Sequence, residues 1–133
     1  MAKSVRTVLV VDDDVDVLAL ATMILEEEGF TVLAAADGTE ALQILQAHPE
    51  IDLLFTDIVM PGDVNGFELA HQAKQLRPSL CVLYASGYIK NPSWGQKGIG
   101  HGPLLSKPWR REQLRQSILN LLAGGPGPAS APC

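Results

Sequence analysis

Apolar residues come in short runs along this chain, and each run stops abruptly at polar residues. The runs are Val8–Val11, Thr31–Ala35, Ile51–Thr56, Leu80–Tyr84 and the pair Leu104 and Leu105. Runs of this length, bounded by turn residues, read as buried strands. Between them, apolar residues recur at helical spacing: Leu18, Ala21 and Leu25 with Gly29 as the stop; Ala41, Leu42 and Leu45; Phe67, Ala70 and Ala73, ending before Pro78; and Leu114, Ile118 and Leu121. Asp37 with Gly38, and Pro61 with Gly62 and Asp63, supply turn chemistry. Strands that alternate with helices predict βαβ crossovers and a parallel sheet covered on both faces. The expected fold class is α/β, a doubly wound five-stranded parallel sheet flanked by helices. One stretch breaks the rhythm. Tyr88–Pro103 holds Gly95, Gly98, Gly100 and Gly102, so the helix due there, the fourth of the fold, is predicted to be short or disordered.

Length and composition narrow this picture. The 133 residues suit one domain with its own core, and 47% hydrophobic with 19% charged residues is a globular mixture. The domain is expected over 1–123, with 124–133, rich in Gly, Pro and Ala, as a flexible tail. A net charge of −5 lacks the basic footprint of direct nucleic-acid binding, and no apolar run approaches a membrane span. The two cysteines, Cys81 in an apolar run and Cys133 at the end, do not form a disulfide framework. With no secretory signal at the start, the expected location is the reducing cytoplasm.

The chemistry lies in the polar residues at the end of each strand. Asp12, Asp13 and Asp14 come after the first, Asp57 after the third, Ser86 after the fourth and Lys107 after the fifth. In open α/β sheets ligands bind at the carboxyl ends of the strands, so these residues converge on one edge. Crowded carboxylates raise one another's pKa values, a conflict that a hard divalent ion removes. Mg²⁺ is held by one or two carboxylates, waters and a substrate phosphate. Lys107 and Ser86 are suited to phosphoryl oxygens, and a carboxylate beside them is a nucleophile that forms an aspartyl phosphate. The set reads as phosphoryl transfer. Capping of the following helix is the ordinary role of an Asp after a strand; Asp14 is read as such a cap, and Asp12 and Asp13 as metal residues.

At these positions the chain resembles the response-regulator receiver domain of two-component signalling. The matching pieces are Val10 to Asp13, Thr56 to Gly62, Ala85 to Gly87 and Ser106 to Pro108, in the family's order and spacing. The resemblance implies a flavodoxin-like, CheY-like fold with strand order 2-1-3-4-5. It implies that Asp57 is the phosphoacceptor and that Asp12, Asp13, Asp57 and the Val59 backbone carbonyl hold Mg²⁺ or Mn²⁺. Ser86 and Lys107 would bind the phosphoryl group, and Pro108 would come after a cis bond. The partner implied is a sensor histidine kinase or a histidine phosphotransfer protein, with an unnamed protein target downstream. Such a domain is not a turnover enzyme; its chemistry is self-phosphorylation and self-dephosphorylation. Where the family often carries an aromatic switch residue, this chain has Leu104, with Tyr88 and Trp109 as substitutes. The long loop after Asp57, Tyr88 and Trp109 are most similar to receivers of hybrid sensor kinases or their free-standing relatives.

Three rivals are weaker. Asp12-x-Asp14 is similar to haloacid-dehalogenase-type phosphatases, but those need Thr or Val where this chain has Asp16. A flavin-binding domain needs a phosphate loop after the first strand, where three aspartates would repel phosphate. A pseudo-receiver would not need the full set of site residues. Glu26, Glu27 and Glu28 read as a solvated face, and His48, His71 and His101 have no ligand spacing.

Overall fold

A computed structural model describes residues 6–60, 64–86 and 102–123. Five parallel strands form one sheet: β1 (Thr7–Val11), β2 (Thr31–Ala35), β3 (Ile51–Asp57), β4 (Cys81–Ser86) and β5 (Leu104–Ser106). Their order is β2-β1-β3-β4-β5. Four helices are present among the described residues: α1 (Val15–Glu27), α2 (Gly38–Ala47), α3 (Gly66–Leu76) and α4 (Arg111–Leu122). The short helix expected between the fourth and fifth strands, and the tail at 124–133, lie outside the described residues.

Burial explains the sequence pattern. β1 is buried at all five positions, as a central strand covered on both faces must be. Its side chains alternate between two apolar layers. Leu9 and Val11 pack with Leu54, Val82 and Tyr84 against Ala41 and Leu45 of α2 and Leu69, Ala70 and Ala73 of α3. Val8 and Val10 pack with Phe55, Leu83 and Leu105 against Ala21, Ile24 and Leu25 of α1 and Leu114 and Ile118 of α4. The edge strand β2 is partly exposed.

Three helices start on a side-chain cap. Asp14 accepts from the backbone N–H groups of Asp16 and Val17, Asp37 from Glu40, and Asn65 from Glu68. These caps satisfy N–H groups that the first helical turn leaves without intrahelical partners. Asp37 and Gly38, a turn signal in the sequence, are the cap and first residue of α2.

One detail differs from the sequence reading. Glu27 and Glu28 are not simply solvated: they pair with Arg111 and Arg115, tying the end of α1 to α4. Periodicity within one helix cannot reveal a partner on another. Cys81 is buried in the second apolar layer, as its place in an apolar run predicts.

Candidate functional site

Sheet order places the site. The chain crosses from β1 to β2 on one side and returns to β3 on the other, so β1 and β3 are neighbours with diverging connections. A crevice opens at the carboxyl ends of such a pair. β1 ends at Val11, in register with Thr56. The next residue, Asp12, continues the ladder to β2 by donating its backbone N–H to the Ala35 carbonyl. Asp12 and Asp57 therefore flank the crevice, and β4 and β5 bring Ser86 and Lys107 to the same edge.

Lys107 is the centre of the cluster. Its Nζ lies 2.9 Å from Asp12 Oδ2 and 3.2 Å from Asp57 Oδ2. The other Asp12 oxygen accepts from the backbone N–H of Asp14 at 2.9 Å. Asp12 and Asp57 are buried at 4% and 8% exposure, whereas Asp13 is exposed. Carboxylate oxygens of Asp12, Asp13 and Asp57 lie within 4.8 Å of one another. One ammonium against three carboxylates leaves the cluster net negative. An all-oxygen, net-negative donor set fits a hard divalent cation.

Burial pushes the Asp57 carboxyl above its ordinary 3.8; the Lys107 charge opposes this and the Asp12 charge adds to it. Burial pulls the Lys107 ammonium down, but its hydrogen bond to Asp12 and the charges of Asp57 and Asp12 carry it above 10.5. The cluster thus holds a carboxylate whose ionised form is poorly solvated and an ammonium held charged beside it.

The other expected site residues occupy definite places. Ser86 ends β4, buried, and its carbonyl accepts the Lys107 backbone N–H at 2.8 Å. The Lys107–Pro108 bond is cis. Val59 is exposed, one residue past the buried Ile58. Trp109 is buried with its ring edge-on to Phe55, centroids 6.0 Å apart, which braces the loop carrying Lys107 against the strand carrying Asp57. Leu104 sits in register with Tyr84. Tyr84 is a large, fully buried side chain, and its ring packs on Phe67 of α3 at 5.2 Å. The buried aromatic in the Leu104 neighbourhood is therefore Tyr84, to which the sequence pattern assigns no role beyond the strand; Tyr88 lies outside the described residues.

Two further residues carry only a faint signal in the sequence. Thr56 is fully buried and donates its hydroxyl to the Asp57 carbonyl at 2.8 Å. Gly66 starts α3 against the backbone of Asp57 and Ile58, where a Cβ would overlap the Asp57 carbonyl oxygen. A polar residue between the apolar Phe55 and the strand-end Asp57, and a glycine at a helix start, are the available clues.

Apolar groups lie beside Lys107. Val15, Leu20 and Val59 are exposed, and a groove of about 340 Å³ is lined by Val17, Leu20, Lys107, Pro108 and Trp109.

Comparison with known proteins shows the family and the fold. The family model described as the response regulator receiver domain matches residues 8–119. The response regulator receiver protein CpdR of Brucella abortus (strain 2308) is 32% identical over 120 residues, covering 88% of this chain and 97% of that protein. Sensor kinase CckA of the same organism is 30% identical over 123 residues, which is 87% of this chain but 12% of the kinase. The crystal structure of a response regulator receiver protein from Sinorhizobium medicae WSM419 superposes with a TM-score of 0.82 at 28% identity, covering 90% of this chain and 96% of that one.

Proposed function

The chain belongs to the response regulator receiver domain family of two-component signalling, and from that premise we propose that Asp57 accepts a phosphoryl group from a sensor histidine kinase or a histidine phosphotransfer protein. The observation that carries the proposal is the Lys107 ammonium set between Asp12 and Asp57 at the end of the sheet. A carboxylate oxygen of Asp57 attacks phosphorus. The new O–P bond forms as the P–N bond to the donor imidazole breaks, and the departing imidazole nitrogen takes up a proton. In this reading Lys107, held charged, meets one phosphoryl oxygen by releasing a carboxylate, and Ser86 donates to another. Asp12, Asp13, Asp57 and the Val59 carbonyl are the residues to hold Mg²⁺ or Mn²⁺, which when bound neutralises charge on the transferring group.

The exposed Leu20 shares an apolar groove with Lys107. A protein donor that reaches Asp57 would dock against this groove, and the reading assigns it to the kinase or phosphotransfer partner. Phosphorylation then biases a two-state surface that signals to a protein target. The reading assigns no turnover of an external substrate, only self-phosphorylation and self-dephosphorylation, and it places the domain, 1–123, in the cytoplasm. No helix among the described residues is long and apolar enough to cross a membrane.

The test is intact mass after incubation with acetyl phosphate, with and without Mg²⁺, for wild type and Asp57→Asn. One phosphoryl adduct that requires both Mg²⁺ and Asp57 is expected. An adduct that survives Asp57→Asn but not Asp12→Asn would instead indicate phosphatase-like use of Asp12.

A further inference from the structure

We propose that Thr56 is a positioning residue for the reaction at Asp57, acting through the backbone carbonyl of Asp57 itself; this rests on the reading of Asp57 as phosphoacceptor. The need for such a residue arises from the sheet. β1 ends at Val11, in register with Thr56, one residue short of Asp57. On the other edge of β3 the ladder continues one step further, with the Ile58 N–H bonded to the Ala85 carbonyl at 3.1 Å. Successive residues of a strand direct their backbone groups to opposite edges. The Asp57 carbonyl therefore faces the side where β1 has already ended.

Thr56 supplies a donor there. Its hydroxyl, fully buried, reaches the Asp57 carbonyl at 2.8 Å. Gly66 closes the other side, since its missing Cβ is what lets α3 pass over the same carbonyl. The Gly66 N–H binds the Ile58 carbonyl at 2.8 Å. The peptide between Asp57 and Ile58 is thus held at its oxygen by Thr56, at its nitrogen by Ala85 and from above by Gly66. The orientation of that peptide sets where the Asp57 carboxylate stands relative to Lys107, and where the Val59 carbonyl lies two residues on. The hydroxyl touches no reacting atom; it acts through the backbone.

Thr56→Val keeps the shape and removes the donor, and Thr56→Ser keeps the donor and removes the methyl. The rate of adduct formation on Asp57 is measured against acetyl phosphate concentration at fixed Mg²⁺, and Mn²⁺ affinity is measured by water proton relaxation. Folded fraction is checked by circular dichroism. Thr56→Val is expected to lower the maximal rate by about tenfold with the donor concentration for half-maximal rate little changed, because a displaced nucleophile affects the reaction more than donor binding. Mn²⁺ affinity falls in the same variant, and Thr56→Ser restores both. A purely structural hydroxyl would lower the melting temperature of Thr56→Val while leaving the maximal rate per folded molecule and the Mn²⁺ affinity at wild-type values, and that result overturns the proposal. If Thr56→Val does not fold, a Thr56→Ser variant as slow and as weakly binding as Asp57→Asn overturns it equally. Should wild type itself take up no phosphoryl group, the phosphoacceptor reading fails, and the Mn²⁺ titration alone decides the role of Thr56.

Discussion

Asp57 shows how a single carboxylate at this site bears on stability. Its burial raises its pKa above 3.8 despite Lys107. A raised folded-state pKa means that the folded protein binds this proton more tightly than the unfolded chain does. The contribution of Asp57 to stability is therefore full below pH 3.8 and is lost as pH rises through the folded value, so at neutral pH the ionised carboxyl opposes folding. Asp57→Asn removes that opposition and leaves Lys107 its Asp12 partner at 2.9 Å. Without divalent ions at pH 7 the variant should be the more stable protein, with the higher Tm. Differential scanning calorimetry of both proteins across pH 4–8 checks this. The gap must widen toward neutral pH and shrink on acidification; a variant less stable than wild type at pH 7 contradicts the burial argument. At this scale the sequence is informative about the charged residues and nearly silent about Thr56. An Asp at a strand end announces itself, because an acidic group has no reason to end a buried strand except chemistry or capping. A Thr within a strand looks like any β-branched strand residue, and its value at this site emerges only once β1 is seen to end one residue short of Asp57.

The elements are legible because the folding rules that make them are local. Apolar runs form β1 to β5, and Asp14 caps α1 because its short side chain can reach the first N–H groups of a helix. Contacts between elements are not legible. Neither the Glu27 and Arg111 pair nor the register of Tyr84 beside Leu104 can be read from one segment alone. Gly66 belongs to this class. It opens α3, a position where Ala gains less than about 1 kcal/mol of helix propensity over Gly. A methyl group there would overlap the Asp57 carbonyl oxygen and the Ile58 Cα, and overpacking against rigid backbone costs about 1–3 kcal/mol. The clash wins over the propensity. Gly66→Ala should lower the urea midpoint without changing the slope, and slow adduct formation on Asp57, since helix and site share that contact. A variant as stable as wild type would mean that α3 can shift away from β3 at little cost.

At the scale of the whole molecule, the sheet gathers like charges at one edge of an already acidic chain, whose net charge is −5. Lys107 offsets part of this repulsion, and a divalent cation seated among Asp12, Asp13 and Asp57 would offset more. A ligand that binds only the folded state stabilises it by mass action, about 1.4 kcal/mol at ten times its dissociation constant. Mg²⁺ should therefore raise the Tm of wild type in a saturable way. Asp57→Asn lacks one ligand and begins from a higher Tm, so its rise should be smaller and the two curves should converge or cross as Mg²⁺ increases. Salt screening makes a competing prediction, because any electrolyte relieves repulsion in an acidic protein. NaCl at matched ionic strength separates the two: screening raises both proteins alike and without saturation. Equal Mg²⁺ responses in wild type and Asp57→Asn would show that the ion acts on the net charge of the molecule rather than on the carboxylates at the end of β1 and β3.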